Sequence, residues 1–169
     1  MSPGVDAAWP AELARALIAA GVEAAAWVPD KRLDPIAAAL AGGGLQVRTL
    51  TREEECVGYA AGYRAAGGMP VVLMQCSGLG NSMNALGSLA IPYGLGFPMI
   101  VSMRGTLGER NPSQVPMGRA TVGLLALLGI QGFSLRAPGE IPALVRGVMN
   151  LADGARQVAP IILEPDLEV

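Results

Sequence analysis

Two long apolar runs constrain the fold most strongly. Met69–Cys76 and Phe97–Met103 each carry a single strongly polar residue in an otherwise hydrophobic stretch. A strand with this composition has both faces covered, which is typical of a parallel sheet. Helical patterns alternate with these and the other predicted strands, and the connections are short. The sequence therefore predicts an α/β fold with a doubly wound, mainly parallel sheet and helices on both faces.

Length and composition narrow the class of protein. The chain has 169 residues, so we expect a single domain over residues 1–169. Charged residues make up 15% of the chain, whereas about a quarter is usual in soluble domains. No apolar run approaches the ~18 residues of a membrane-spanning helix. We therefore expect an oligomer subunit that covers part of its surface with partners, and self-association is expected.

Several functions are excluded by residues that the chain lacks. It has no histidine, which rules out a Ser-His-Asp triad and a histidine-ligated metal. Its formal net charge is -2 without any basic run, so nucleic acid binding is not expected. The two cysteines have no metal-like spacing, and the N-terminus does not resemble a signal peptide. These features predict a cytoplasmic protein that binds neither nucleic acid nor membrane.

Three segments follow predicted strands and are the candidates for a site. They are Thr51–Glu55, Cys76–Asn81 and Arg104–Arg119. In sheets of this type, ligands bind beyond the carboxyl ends of the strands. We therefore expect the three segments to lie together at one edge of the sheet.

The first segment places three glutamates, residues 53–55, at the start of a helix. Thr51 is predicted to be the N-cap, with Glu54 reaching back to it in a capping box. Acids in a first helical turn also interact favourably with the helix dipole, so all three have an ordinary structural explanation. The helix phase nevertheless separates Glu53 from its neighbours. Gly58 and Gly62 lie four residues apart and leave one face of the helix without side chains, which predicts close packing against a second subunit. Glu53 would then lie at the edge of that contact.

The second segment, Ser77–Asn81, is predicted to be a glycine-containing loop that opens the next helix. Backbone N–H groups at such a helix start can bind an anion or a polar ligand. A nucleotide-binding role is weakened because Met83 occupies the third glycine position of the dinucleotide fingerprint. A plain tight turn, with Asn81 as the N-cap, is the alternative.

The third segment is long, polar and rich in glycine and proline, and long loops are often functional. Arg104, Arg110 and Arg119 lie in or beside it, either as surface charges or as anchors for an anion. Arg104 is the favoured candidate, because it leaves a buried strand directly at the ligand-binding edge.

Taken together, these residues carry a family resemblance. The stretch REEECVGYAAGYRAAGGMPVVLMQCSGLGNSMNALGSL resembles the pyrimidine-binding domain of thiamine-diphosphate-dependent decarboxylases. Within that group the chain is most similar to the α subunit of sulfopyruvate decarboxylase and the corresponding part of phosphonopyruvate decarboxylase. The resemblance covers nearly the whole chain and is strongest over Thr51–Leu89 and Arg104–Arg119. Cys76 departs from the pattern, since related enzymes commonly have asparagine there.

The resemblance implies roles for particular residues. The catalytic acid of the family falls on Glu53, nine positions before Gly62, and it would hydrogen-bond the pyrimidine N1′ of thiamine diphosphate. The implied cofactor-binding residues are Glu53, Ser77, Gly78, Leu79, Gly80 and Asn81. The implied substrate side contains Gln114, which joins Arg104 and Arg110 as candidate contacts for an anionic 2-oxo acid.

The resemblance also implies a partner. Related enzymes bind the diphosphate through Mg²⁺ with a Gly-Asp-Gly…Asn motif, which this chain lacks, so no metal ligand is expected here and a separate β subunit would supply the motif. The implied function is the α subunit of a heteromeric 2-oxo acid decarboxylase acting on an anion such as sulfopyruvate or phosphonopyruvate. The alternatives are a non-catalytic scaffold or regulatory subunit and a nucleotide- or phosphate-binding domain.

Overall fold

The computed structural model describes residues 9–167. All described strands join one parallel sheet in the order β2-β1-β3-β4-β6-β5. The strands are β1 Ala24–Trp27, β2 Gln46–Thr49, β3 Pro70–Gln75, β4 Pro98–Ser102, β5 Phe133–Leu135 and β6 Ala159–Leu163. This topology confirms the predicted doubly wound parallel sheet.

Helices connect the strands and cover both faces of the sheet. They are α1 Trp9–Ala19, α2 Asp34–Gly42, α3 Glu53–Ala65, α4 Cys76–Ala85, α5 Val115–Leu127 and α6 Ile141–Met149. A π-helical turn extends α4 over Leu86–Ala90, another extends α6 over Asn150–Gly154, and 3₁₀ turns occupy Pro112–Gln114 and Pro138–Glu140. None of the helices within residues 9–167 has the length and apolar character needed to cross a membrane.

Two hydrophobic cores explain why the central strands are so apolar. Val71 and Leu73 of β3 pack into one core with α1, α2 and α6, whereas Val72 and Met74 pack into the other with α3, α4 and α5. Successive side chains of a strand point to opposite faces, so residues 70–74 of β3 are each buried on one side or the other. The polar Gln75 stands at the end of the strand, where it is only partly buried.

The start of α3 corrects the predicted capping box by one residue. The N-cap is Arg52, and the carboxylate that reaches back is that of Glu55. Glu55 Oε2 accepts hydrogen bonds from the Thr51 and Arg52 backbone N–H groups, both at 3.1 Å, and from the Thr51 hydroxyl at 2.8 Å. Glu54 instead forms a surface ion pair with Arg52 at 3.0 Å. The prediction for Thr51 and Glu54 was wrong because the helix begins one residue later.

The glycine segment after β3 is not a loop. Helix α4 begins at Cys76 directly after the strand, so Ser77, Gly78, Leu79, Gly80 and Asn81 are all helical. Asn81 is consequently not an N-cap, and a nucleotide-cradling glycine loop loses its structural basis. The predicted loop Arg104–Arg119 is also shorter, because α5 already begins at Val115. Four of the glycines in these segments lie where an added Cβ would meet a neighbouring element at 2.8 Å or less, namely Gly78, Gly80, Gly105 and Gly118.

Candidate functional site

Glu53 lies where α3 and α4 meet. A Cβ atom on Gly78 would lie only 2.5 Å from Glu53 Oε1, so glycine is required for the acid to rest on this helix. Asn81 lies on the same side of α4, and its Nδ2 donates to Glu53 Oε2 at 3.3 Å. The structure therefore brings Glu53, Gly78 and Asn81 together, three of the residues predicted for the site.

The environment of Glu53 differs from that of its two neighbours. Glu55 is held by the cap and Glu54 by an ion pair, whereas Glu53 forms no salt bridge within residues 9–167. The Asn81 amide is its one hydrogen-bond donor in that part of the chain, although a carboxylate can accept about four hydrogen bonds. Glu53 is half-buried. A half-buried carboxylate with spare acceptor capacity is suited to bind a cationic or N–H group of a ligand.

A buried thiol lies beneath this acid. Cys56 is fully buried in the second core. Burial, together with the negative charges of Glu53 and Glu55, raises the pKa of Cys56 to about 12. The thiol therefore stays neutral at physiological pH and adds no charge beside Glu53.

A polar network at the carboxyl edge of the sheet leads to α4. Asp30, which follows β1, accepts hydrogen bonds from Gln75 Nε2 at 2.8 Å and from the Ser102 hydroxyl at 3.1 Å. Gln75 Oε1 in turn accepts from the Ser77 hydroxyl at 2.7 Å. The network ties the ends of β1, β3 and β4 to the first turn of α4.

Sequence reasoning missed Asp30, Gln75 and Ser102. A usable signal was present, because Gln75 and Ser102 are the polar residues of the two apolar runs and stand at their carboxyl ends. Polar side chains there lie at the edge where parallel sheets bind ligands. Asp30 has no comparable signal, because it lies beyond the end of β1 and contacts the other two residues only in the folded chain.

Arg104 reaches the predicted edge, but its guanidinium is already paired. Its Nε and Nη2 donate to the two carboxylate oxygens of Glu109 at 2.8 and 2.7 Å. The hydrogen bonds that Arg104 donates to Glu109, and to a lesser degree the negative charges of Glu109 and Asp30, raise the pKa of Arg104, against a smaller opposing effect of burial. Arg104 is therefore within electrostatic reach of the Asp30 network, and it acts as part of a neutral pair.

A cavity of about 560 Å³ opens beside this pair. Its walls are the loop from Arg104 to Glu109 and the first turns of α5, including Val115, Gly118 and Arg119. The two other predicted substrate contacts, Gln114 and Arg110, are not among the lining residues. Arg110 is exposed, and Gln114 Oε1 is buried without a hydrogen-bond partner in the described residues.

Comparisons with known proteins define the class to which this fold and site belong. A family model for the thiamine pyrophosphate enzyme N-terminal TPP binding domain matches residues 11–105. Among solved structures, the chain resembles a 2-oxoglutarate:ferredoxin oxidoreductase from Magnetococcus marinus, with a TM-score of 0.68 and 15% identity. That likeness covers 92% of this chain and 28% of the other chain, and at this identity it shows the fold alone.

Curated relatives give the finer assignment. The sulfopyruvate decarboxylase α subunit of Methanothermobacter thermautotrophicus is 43% identical over 68% of this chain and 70% of its own length. That of Methanococcus maripaludis is 35% identical over 89% of this chain and 90% of its own length. The phosphonopyruvate decarboxylase of Streptomyces viridochromogenes is 36% identical over 72% of this chain, which corresponds to 31% of that longer protein.

The chain therefore belongs to the thiamine pyrophosphate enzyme N-terminal domain family, and within it to the family of the sulfopyruvate decarboxylase α subunits. The resemblance predicted from residues 52–89 is confirmed. The named relatives are decarboxylases, in agreement with the predicted enzyme class.

Proposed function

We propose that this chain is the α subunit of a heteromeric thiamine-diphosphate-dependent decarboxylase whose substrate is a 2-oxo acid with a sulfonate or phosphonate group. The observation that carries the proposal is Glu53, a half-buried acid that rests on Gly78 and has a single, neutral hydrogen-bond donor among residues 9–167. The names of the relatives support the reaction and the anionic substrate.

The residues around Glu53 fit the aminopyrimidine half of the cofactor. A ring N–H needs an acceptor with unused capacity, and Glu53 provides one in a half-buried place. Thiamine diphosphate, when bound, supplies the carbon nucleophile that attacks the ketone and the electron sink that receives the electron pair when CO₂ leaves. The part of Glu53 is to hold a proton on pyrimidine N1′. An ionised carboxylate suits this role because charge-assisted hydrogen bonds are roughly twice as strong as neutral ones.

Neighbouring residues orient this carboxylate. Asn81 donates to Oε2, and Oε1 occupies the space beside Gly78 that a Cβ atom would fill. Ser77 anchors the first turn of α4 through Gln75. Leu79 is fully buried in the second core, so its predicted contact with the cofactor is restricted to its backbone.

A β subunit would complete the site and bind the diphosphate through Mg²⁺. Residues 9–167 contain no cluster of acids or cysteines that could hold a metal ion. Gly58 and Gly62 expose an open strip on α3, where added Cβ atoms would meet nothing within 4 Å. The name "subunit alpha" of the relatives implies a second chain in those enzymes. We infer that the β subunit, rather than a second copy alone, covers this strip.

Reconstitution tests the function. The purified chain is to be mixed with its copurifying partner, Mg²⁺ and thiamine diphosphate, and CO₂ release followed with sulfopyruvate, phosphonopyruvate and pyruvate. We expect activity with the two anionic substrates only when chain, partner and cofactor are all present. Activity without thiamine diphosphate, or no activity in any combination, would refute the proposal.

A further inference from the structure

Glu109 organises the loop that leaves β4. Its carboxylate accepts four N–H donors: two from Arg104, one from the Gly105 backbone at 3.2 Å and one from the Asn111 backbone at 2.9 Å. The hydrogen bonds from Arg104 are the largest cause that holds the pKa of Glu109 far below its usual range. Glu109 therefore remains a fixed negative charge under all physiological conditions.

The negative charge of Glu109 determines the net charge of the cavity beside it. The charged side chains that line the cavity in the described part of the chain are Arg104, Glu109 and Arg119. Arg104 and Glu109 neutralise each other, and Arg119 has no salt-bridge partner within residues 9–167. The cavity therefore offers one net positive charge, together with the guanidinium N–H groups of Arg104 that Glu109 does not use.

The cavity adjoins the helix that carries the Glu53 site. Gly118 of α5 lies against the loop, where an added Cβ would come within 3.0 Å of the Gly105 Cα. One residue earlier, Met117 packs on Gly80 of α4, at 2.8 Å from the position of an added Cβ. Gly80 follows Gly78, on which Glu53 rests, by two residues. Residues two apart in a helix face different sides, so the first turns of α4 lie between Glu53 and the cavity. We assign the tail of the substrate to this cavity as part of the proposal that follows.

We propose that Glu109 is a specificity-determining residue that lowers the preference of the cavity for a doubly charged phosphonate tail relative to a singly charged sulfonate tail. The inference rests on the proposed function. By cancelling the charge of Arg104, Glu109 leaves one positive charge for the tail. Its own repulsion of the tail grows with the charge of that tail. A sulfonate carries one charge at any physiological pH. A phosphonate has a second ionisation that a sulfonate lacks. It lies above the value of about 6 for a phosphate ester, because carbon replaces the ester oxygen, so at pH 8 the phosphonate tail carries more than one charge.

The test measures binding and turnover separately. The complex of chain, partner and cofactor is titrated with 3-sulfopropionate and 3-phosphonopropionate, which have the two tails but no ketone to react. The kcat/KM values for sulfopyruvate and phosphonopyruvate are measured beside them. At pH 8, Glu109→Gln should shift both ratios about tenfold towards the phosphonate, because the cavity gains one positive charge. At pH 5.5 the shift should shrink, because the phosphonate then carries little more than one charge.

Arg119→Gln is the reciprocal variant. Arg119 is exposed on α5, so its replacement should not disturb the fold, and it should shift both ratios towards the sulfonate. Equal changes for the two tails in both variants, or absence of binding by either analogue to the wild-type complex, would overturn the inference. If the binding ratios shift as expected but no 2-oxo acid is decarboxylated, the inference on tail charge stands and the proposed function fails.

Discussion

Two glutamates on the same side of the sheet show how differently a carboxylate can be used. Glu109, in the loop after β4, receives four N–H donors and a paired cation. Glu53, at the contact of α3 and α4, receives one amide donor within the described residues and no cation. A carboxylate with all its acceptor sites filled organises the chain around it. A carboxylate with unused acceptor sites is available to a ligand. The number of donors that a carboxylate receives therefore indicates its role better than its position in the fold does.

The largest effect is expected from removing the charge of Glu53, the carboxylate with unused acceptor sites. Glu53→Gln should reduce CO₂ release by about 10²- to 10³-fold, the usual cost of losing one electrostatic contact to a reacting system. Glu54→Gln is the matched control, because Glu54 is bound to Arg52 at the surface, and its activity should stay within about twofold of wild type. The measurement is kcat of the reconstituted complex at saturating cofactor. Comparable activity of the two variants would break the distinction between these neighbouring acids.

A smaller effect is expected from disturbing the seat of Glu53. Gly78→Ala places a methyl group on the carboxyl group of Glu53, and such overpacking typically costs about 1–3 kcal/mol. The control is Gly123→Ala on α5, where nothing lies within 4 Å and helix propensity should add up to about 1 kcal/mol. Denaturant unfolding of the isolated chain gives the free energy of unfolding for both variants. A neutral Gly78→Ala would show that Glu53 can move aside without cost.

The smallest effect concerns Glu109, the carboxylate whose acceptor sites are filled, and it appears as a dependence of the Tm on pH. Hydrogen bonds lower the pKa values of Glu55, Glu109 and Glu140 from the ordinary value of 4.5. A lowered folded-state pKa contributes stability above the unfolded pKa and loses it as pH falls through the folded value. The Tm of the chain should therefore decrease as pH falls below about 4.5.

Glu109→Gln should make this decrease shallower, because one of the three shifted acids is then missing. A matched comparison is Glu12→Gln, the same change of residue type in the first turn of α1. Thermal unfolding between pH 3 and pH 7 measures both slopes. Parallel curves for Glu109→Gln and wild type would show that Glu109 contributes nothing to acid stability.

Much of the fold was accessible from the sequence because its signals are local. The apolar runs predicted central strands, and the alternation with helices predicted a parallel sheet. The same ordering placed the segments that contain Glu53, Gly78 and Arg104 at the carboxyl edge. Family spacing and helix phase also predicted that Glu53, rather than Glu54 or Glu55, is the catalytic acid, and this role stays a prediction.

The sequence predictions were wrong where two local geometries differ little in energy, or where the contacts that decide the structure come from residues distant in sequence. Thr51 and Arg52 are both acceptable cap positions, and a shift of one residue exchanged Glu54 for Glu55. The glycines of α4 looked like a loop because their reason for being small lies on other helices, in Glu53 and Met117. The ion pair of Arg104 likewise depended on the path of the following loop.

The sequence by itself determined the parallel α/β sheet and the family. Those properties follow from hydrophobic periodicity and from the order of the motifs, both of which can be read from the sequence without knowledge of long-range contacts. Only the tertiary structure decided that α4 begins without a loop, that Asp30 joins three strand ends, and that Glu109 neutralises Arg104. Hydrogen bonds and ion pairs require heavy atoms to approach within about 3 Å, and that spacing is set by how whole elements pack.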